Sequence, residues 1–328
     1  WPVERRRNRN GFHRIAQGDP GKLVLSRAVN LLFAEGPAAG GTPESVALLA
    51  DALRARGHTV THVMGPAWAG SERGWTGPTW WWRGFWSLLG HGADLIHAHD
   101  RRYTIPALLA ARAARIPCVL TLRDVGGLCP IATCYLHEGP DRPLDCGQRR
   151  LWFRCAPWYA RAYGFAPPYG SASWRLKTRL ALRYALLGLE RRAVARFDRV
   201  ISPSEGLKRH YPASWPWAVI PSPVRVVAPH ACRQEPERPL VLFVGKPSIG
   251  KGYRDFEDAA LLLLRKYDIR AIQFAQVGPE PPWPQNGWID AVGPKSRTDL
   301  EEWYCRASVV VVPSRIPDAL PRVALEAM

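Results

Sequence analysis

Apolar and polar positions along the chain alternate with two periods. Short apolar runs such as KLVLS (22–26), TVTHV (59–63), DLIHAH (94–99) and PCVLTL (117–122) read as strands, and the segments between them carry apolar residues at helical spacing. The clearest helix follows AAGGTPES: Thr42 caps it, Pro43 takes the first position, Glu44 stands in the first turn, Val46, Leu49, Ala50 and Leu53 share a face, and Gly57 ends it. Strand, crossover helix and strand make the unit of a parallel sheet. The alternation continues through an Ala/Leu/Arg helix ending at Ala114 and a long helix over 174–197 that precedes RVISPS, which predicts one doubly wound domain over 1–226.

Residues 227–239 have the proline and charge content of a linker. A second alternation follows. PLVLFVG, AIQFAQVG and SVVVVPS read as strands, with helices over 255–267 and 298–307, and the four consecutive valines suit a strand buried on both faces. The fold class expected is therefore α/β, with two Rossmann-like doubly wound parallel-sheet domains facing a cleft and the second domain, 240–328, incomplete.

Composition narrows the class. The chain has 328 residues, 47% of them hydrophobic, enough for two cores, and no window approaches the roughly 18 apolar residues of a spanning helix. Nor does the basic opening WPVERRRNRN resemble a signal peptide. A net charge of +17 favours anionic partners: nucleic acid, anionic lipid or phosphorylated substrates. The arginines are spread along the chain, so the charge equally suits a solvated surface. Seven cysteines are too few for a disulfide scaffold at this length, and a reduced, cytoplasmic compartment is expected. Cys129, Cys134, Cys146 and Cys155 cluster without a CxxC pair, so no metal is expected there.

Ligands of open parallel sheets sit beyond the carboxyl ends of the strands. After LVLFVG come Lys246 and then Lys251-Gly252 opening a helix, two ammonium groups beside a helix N-terminus, which suits phosphate. After the valines, PSRIPDALPRVALEAM sets a loop and a helix containing Glu326, whose carboxylate suits sugar or ribose hydroxyls. His97, His99, Asp100 and Asp124 are candidates for proton handling, and each histidine is equally readable as a hydrogen-bonded strand-end residue. Arg123 cannot be a base at neutral pH, so a role for it is electrostatic.

The spacing Asp318-x7-Glu326, the preceding PSR, the following EAM and the upstream FVGKPSIGKG resemble the retaining glycosyltransferases of family four, which have the GT-B fold. Gly40-Gly41 resembles the family's glycine loop, DLIHAHD its Asp-x-x-His-x-His strand end, and VLTLRDVGGLCP a stretch that usually carries histidine where Arg123 stands. The resemblance implies transfer, with retention, from a nucleotide-diphosphate sugar to a glycan or lipid-linked acceptor, without a cofactor or metal. It assigns the donor diphosphate to Gly40, Gly41, Lys246, Lys251 and Arg322, the ribose to Glu326, and the transferred sugar to Asp318. It places His97, His99, Asp100, Arg123 and Asp124 on the reacting side. Asp318 is one methylene shorter than the usual glutamate, and Pro321 replaces a glycine and removes an N–H.

Two rivals stay open: a nucleic-acid-binding protein, for which no recognisable module occurs and no nucleic-acid partner is expected, and a binding protein of the same fold with little turnover. The start at Trp1 and the stop at Met328 suggest a fragment cut at both ends, with weak or no activity alone. Finally, Trp81, Trp82, Phe85, Trp86, Leu88 and Leu89 in GWTGPTWWWRGFWSLLG suit one face of a short helix, either docked on the inner face of the cell membrane or packed on the domain's own helices.

Overall fold

The structure, a computed structural model, describes residues 28–35, 41–64, 78–130, 151–157, 174–225, 238–267, 271–281, 287–316 and 318–328. The strand expected at 22–26 and most of the linker at 227–239 lie outside these residues. The first described strand is β1, Asn30–Glu35, one step later in the chain and just before the glycine loop. After it come α1 (Gly41–Arg54), β2 (Thr59–Met64), α2 (Pro78–Leu88), β3 (Leu95–Ala98), α3 (Thr104–Ala114) and β4 (Cys118–Thr121). Helix α4 (Trp174–Val194), β5 (Arg199–Ser202), the short α5 (Glu205–Lys208) and β6 (Trp217–Val219) complete the first unit. Its six strands are ordered β2-β1-β3-β4-β5-β6, all parallel.

The second unit holds β7 (Leu240–Val244), α6 (Tyr253–Lys266), β8 (Gln273–Val277), β9 (Asp290–Ala291), α7 (Arg297–Arg306), β10 (Val309–Val310) and α8 (Arg322–Ala327). Its four strands are parallel in the order β10-β7-β8-β9. Alternate residues of one strand feed two cores: Phe243 meets Tyr253, Phe256 and Phe274 on the α6 face, while Leu240 and Leu242 meet Ala275, Val277 and Tyr304 on the α7 face. The four-valine strand departs from expectation. Only Val309 and Val310 are laddered, at the sheet edge, and Val309 stays 52% exposed rather than buried on both faces. With β7 on one side and no described strand on the other, the valines cover half a surface.

With every strand parallel, the direction in which successive strands are added reverses between β1 and β3 in the first sheet and between β7 and β10 in the second. Loops leaving adjacent strands on opposite sides of a sheet open a crevice at such a point. Both crevices contribute to one cleft between the units.

Helix α2 settles onto α3 by a stripe one helical turn apart. Trp80, Gly84 and Leu88 face inward, and the Trp80 indole donates to the Arg102 carbonyl at 3.1 Å and meets the Tyr103 ring edge-on. A Cβ at Gly84 would stand 3.0 Å from Pro106 Cβ and Cγ, so the missing side chain is what brings the helices together. The face expected from sequence is therefore split: Leu88 is buried, Trp81, Phe85 and Leu89 are half-buried, and Trp82 and Trp86 point outward.

Candidate functional site

A cleft of about 290 Å³ lies between the units. Thr42, Ser45, Arg123 and Ser222 line it from the first unit, and Lys251, Asp318 and Arg322 from the second. The first wall is built on α1. Thr42 lies in the first turn of that helix, one residue after its start rather than at the cap, at the end that favours anions, and buried Ser45 donates from Oγ to the Pro223 carbonyl at 3.2 Å, tying α1 to the loop that carries Ser222. Gly41 is the first residue of α1, and Gly40 lies outside the described residues.

The second wall joins the loops after β7 and β10. Gly252, at φ +71°, admits no side chain: an added Cβ would stand 1.9 Å from the Pro313 carbonyl oxygen. The Arg315 amide donates to the Gly250 carbonyl at 3.0 Å, and the Arg315 guanidinium pairs with Asp255. These contacts carry Lys251 to Asp318, where Nζ and Oδ2 meet at 2.5 Å. Lys246 is exposed in the loop after Gly245 and does not line the cleft.

Arg322, on the first turn of α8, reaches Glu44 Oε2 at 2.7 Å across the cleft and Glu326 Oε1 at 2.8 Å behind it. Glu326 itself is nearly covered. Its carboxylate accepts from Arg297 and from the Tyr304 hydroxyl, each at 2.9 Å, as well as from Arg322, so in this arrangement it holds the arginine rather than facing the cleft. Burial first, then the Glu326 carboxylate, push the Tyr304 phenol well up, which keeps it a donor.

The strand-end candidates divide sharply. His97 is buried, its Nε2 2.8 Å from Thr121 Oγ1, and burial, with Arg123 adding, lowers its pKa to about 3. His99 is buried against Phe33 and His97, with both ring nitrogens unpartnered, and burial drives its pKa well below the ordinary imidazole value. Both rings are therefore neutral at pH 7, and neither lines the cleft. Asp100 accepts from the Arg102 amide at 2.8 Å and pairs with its guanidinium, which holds the carboxyl low despite burial. Asp124 caps the short turn over Val125–Gly127 through the Gly126 amide at 2.7 Å. Both carboxylates are thus engaged in shaping local backbone. Only Arg123 of this group lines the cleft, its Nη1 donating to Ser222 Oγ at 3.0 Å.

Sequence reasoning passed over Glu35, which ends β1 and pairs with His62, and over Arg297, Tyr304, Ser204 and Ser222. Glu44 was visible only as a first-turn acid, and no local signal marks its reach across the cleft. Cys129 and Cys155 are buried thiols, Cys134 and Cys146 lie outside the described residues, and no cluster of three His, Cys, Asp or Glu among the described residues is placed to hold a metal. Against the expected reduced state, Cys305 on α7 is disulfide-bonded.

Two nucleotide-type parallel sheets facing each other across a cation-lined cleft define the GT-B class of sugar transferases. The family described as "Glycosyl transferase 4-like domain" matches residues 40–230 and "Glycosyl transferases group 1" matches 238–328; the chain belongs to this glycosyltransferase family. Solved structures similar to it include Anabaena HepE in complex with UDP and glucose (15% identity, TM-score 0.54, covering 91% of this chain and 78% of HepE). Another is sucrose-phosphate synthase from Thermosynechococcus elongatus (18% identity, TM-score 0.55, 92% and 79% covered). A third is a glycosyltransferase from Rickettsia africae (13% identity, TM-score 0.53, 92% and 76% covered). At these identities the likeness establishes the fold. No curated protein matches the sequence significantly.

Proposed function

We propose that the protein transfers a sugar from a nucleotide-diphosphate donor to a glycan or lipid-linked acceptor with retention of anomeric configuration. The observation that carries the reading is the convergence of Lys251, Arg322 and the start of α1 on one cleft, with Asp318 beside them. In the reaction the anomeric C–O bond to the diphosphate breaks, the acceptor oxygen bonds to the same carbon on the same face, and the acceptor proton passes to the departing phosphate. Lys251 and Arg322 stabilise the charge that gathers on that phosphate, each charge-assisted hydrogen bond contributing about 1.5–3 kcal/mol. Asp318, freed when Lys251 turns to phosphate, accepts from sugar hydroxyls. His97 and His99, neutral and walled off, take no proton in this scheme.

Titration calorimetry with UDP, ADP and GDP tests the donor side: one should bind, and Lys251→Ala should weaken it about tenfold or more. NMR of the product formed from the matching nucleotide sugar then reports the configuration. Binding of none of the three by the unaltered chain, or an inverted product, refutes the reading. The outward pair Trp82 and Trp86 on α2 supports peripheral contact of the acceptor side with a membrane surface.

A further inference from the structure

Each of the other cations lining the cleft has a carboxylate. Lys251 is paired with Asp318, and Arg322 with Glu44 and Glu326. Arg123 has none among the described residues. Its Nη1 rests on a hydroxyl, Ser222 Oγ, and its Nε is fully buried with no partner. The nearby acid, Glu35, is already engaged by His62. Burial, with Arg322 adding repulsion, pushes the Arg123 pKa down to about 10, so the group remains charged at neutral pH. Arg123 is half-buried, and the Glu35 carboxylate acts on it only through space, with no hydrogen bond between them, so an anion in the cleft would supply the direct partner that Lys251 and Arg322 already have.

The diphosphate has its cations on the second wall, at Lys251 and Arg322, whereas Arg123 and Ser222 project from the first, after β4 and β6. Resting on the sugar-transfer reading above, we propose that Arg123 and Ser222 form a subsite for a second anionic group, a carboxylate or phosphate on the sugar being transferred or on the acceptor, so that the enzyme selects an acidic sugar substrate. A planar guanidinium can give two parallel hydrogen bonds, as a fork, to such a group, and the covered Nε comes into reach when the side chain turns toward the bound anion.

The test compares the unaltered chain with Arg123→Met, which keeps length without charge, and Arg123→Lys, which keeps charge without the fork. Binding is measured for the preferred nucleoside diphosphate alone, for its glucose and glucuronate conjugates, and, with the diphosphate bound, for glucose and glucose 6-phosphate. One acidic probe should bind the unaltered chain about tenfold or more tightly than its neutral counterpart. The glucuronate conjugate places the charge on the transferred sugar, and glucose 6-phosphate places it on the acceptor. Arg123→Met should abolish that preference while shifting nucleoside diphosphate affinity less than about twofold, and Arg123→Lys should keep part of it. Equal loss of diphosphate and acidic-probe binding in Arg123→Met makes Arg123 part of the donor site and overturns the proposal. So does an unaltered chain that binds the diphosphate but prefers neither acidic probe. Failure to bind any nucleoside diphosphate defeats the sugar-transfer reading itself, and the subsite with it. Retained diphosphate binding by each variant reports that it is folded.

Discussion

Glu190, on α4, shows how much a single side chain can depend on what surrounds it. Burial raises its carboxyl from the ordinary 4.5 to about 7, Asp100 adds to the rise, and Arg101 opposes it. The folded chain therefore holds a proton that the unfolded chain releases, and stability falls as pH rises from about 4.5 to 7. Glu190→Gln should stabilise the chain by on the order of 2 kcal/mol at pH 8 and hardly at all at pH 4, as read from urea melts at the two pH values. His97 has the opposite sign. Its folded pKa lies near 3 against an ordinary 6.5, so the stability it leaves intact above pH 6.5 is lost as pH falls through that window. At this scale the sequence located the candidates without showing which way they turn. His97, His99 and Arg123 stand at legible strand ends, yet only the folded sheet shows that His99 faces Phe33 while Arg123 faces the cleft.

Among elements, periodicity made most helices and strands readable because one face of each is buried. What it concealed were contacts that depend on an absent side chain. Gly84 reads as an interruption of the aromatic helix, whereas in the structure its bare Cα seats α2 against Pro106. Gly252 reads as an easy turn before α6, whereas it holds the two cleft loops together. Gly252→Ala combines a left-handed φ of +71° with a collision against the Pro313 carbonyl. It should cost about 2 kcal/mol or more in thermal or urea melts and weaken nucleotide binding, because Lys251 rides on the same loop. The outward face of α2 makes a separate prediction. Trp82 and Trp86 are 62% and 55% exposed, their rings meeting edge-on at 5.3 Å, beside exposed Arg83. Sedimentation with anionic vesicles at low salt should carry the chain down, and Trp82→Ser with Trp86→Ser should release it; equal sedimentation of the double variant, still folded by circular dichroism, removes the membrane contact.

At the scale of the whole molecule, two sheets with a linker between them were legible, since each is a self-contained alternation. How the halves meet was not, because the contacts join residues far apart in the chain. Glu44 pairs with Arg322 and stands 3.8 Å from Arg297, and Ser204 donates from Oγ to the Ala319 carbonyl. Glu44→Gln should loosen the joint, and small-angle X-ray scattering should show a larger radius of gyration than that of the unaltered chain; an unchanged radius would assign the closure to other contacts. Among the described residues, Ala319 is the one buried apolar residue of the second unit that joins the core cluster of the first. The joint these residues make is thus chiefly charged and polar. Such contacts fade as the screening length shrinks from about 8 Å in physiological salt to about 3 Å in molar salt, while the two apolar interiors do not weaken in that way. Ionic strength then decides whether the chain melts as one cooperative body or as two, so calorimetric scans should pass from a single transition in dilute buffer to a resolved pair in molar sodium chloride.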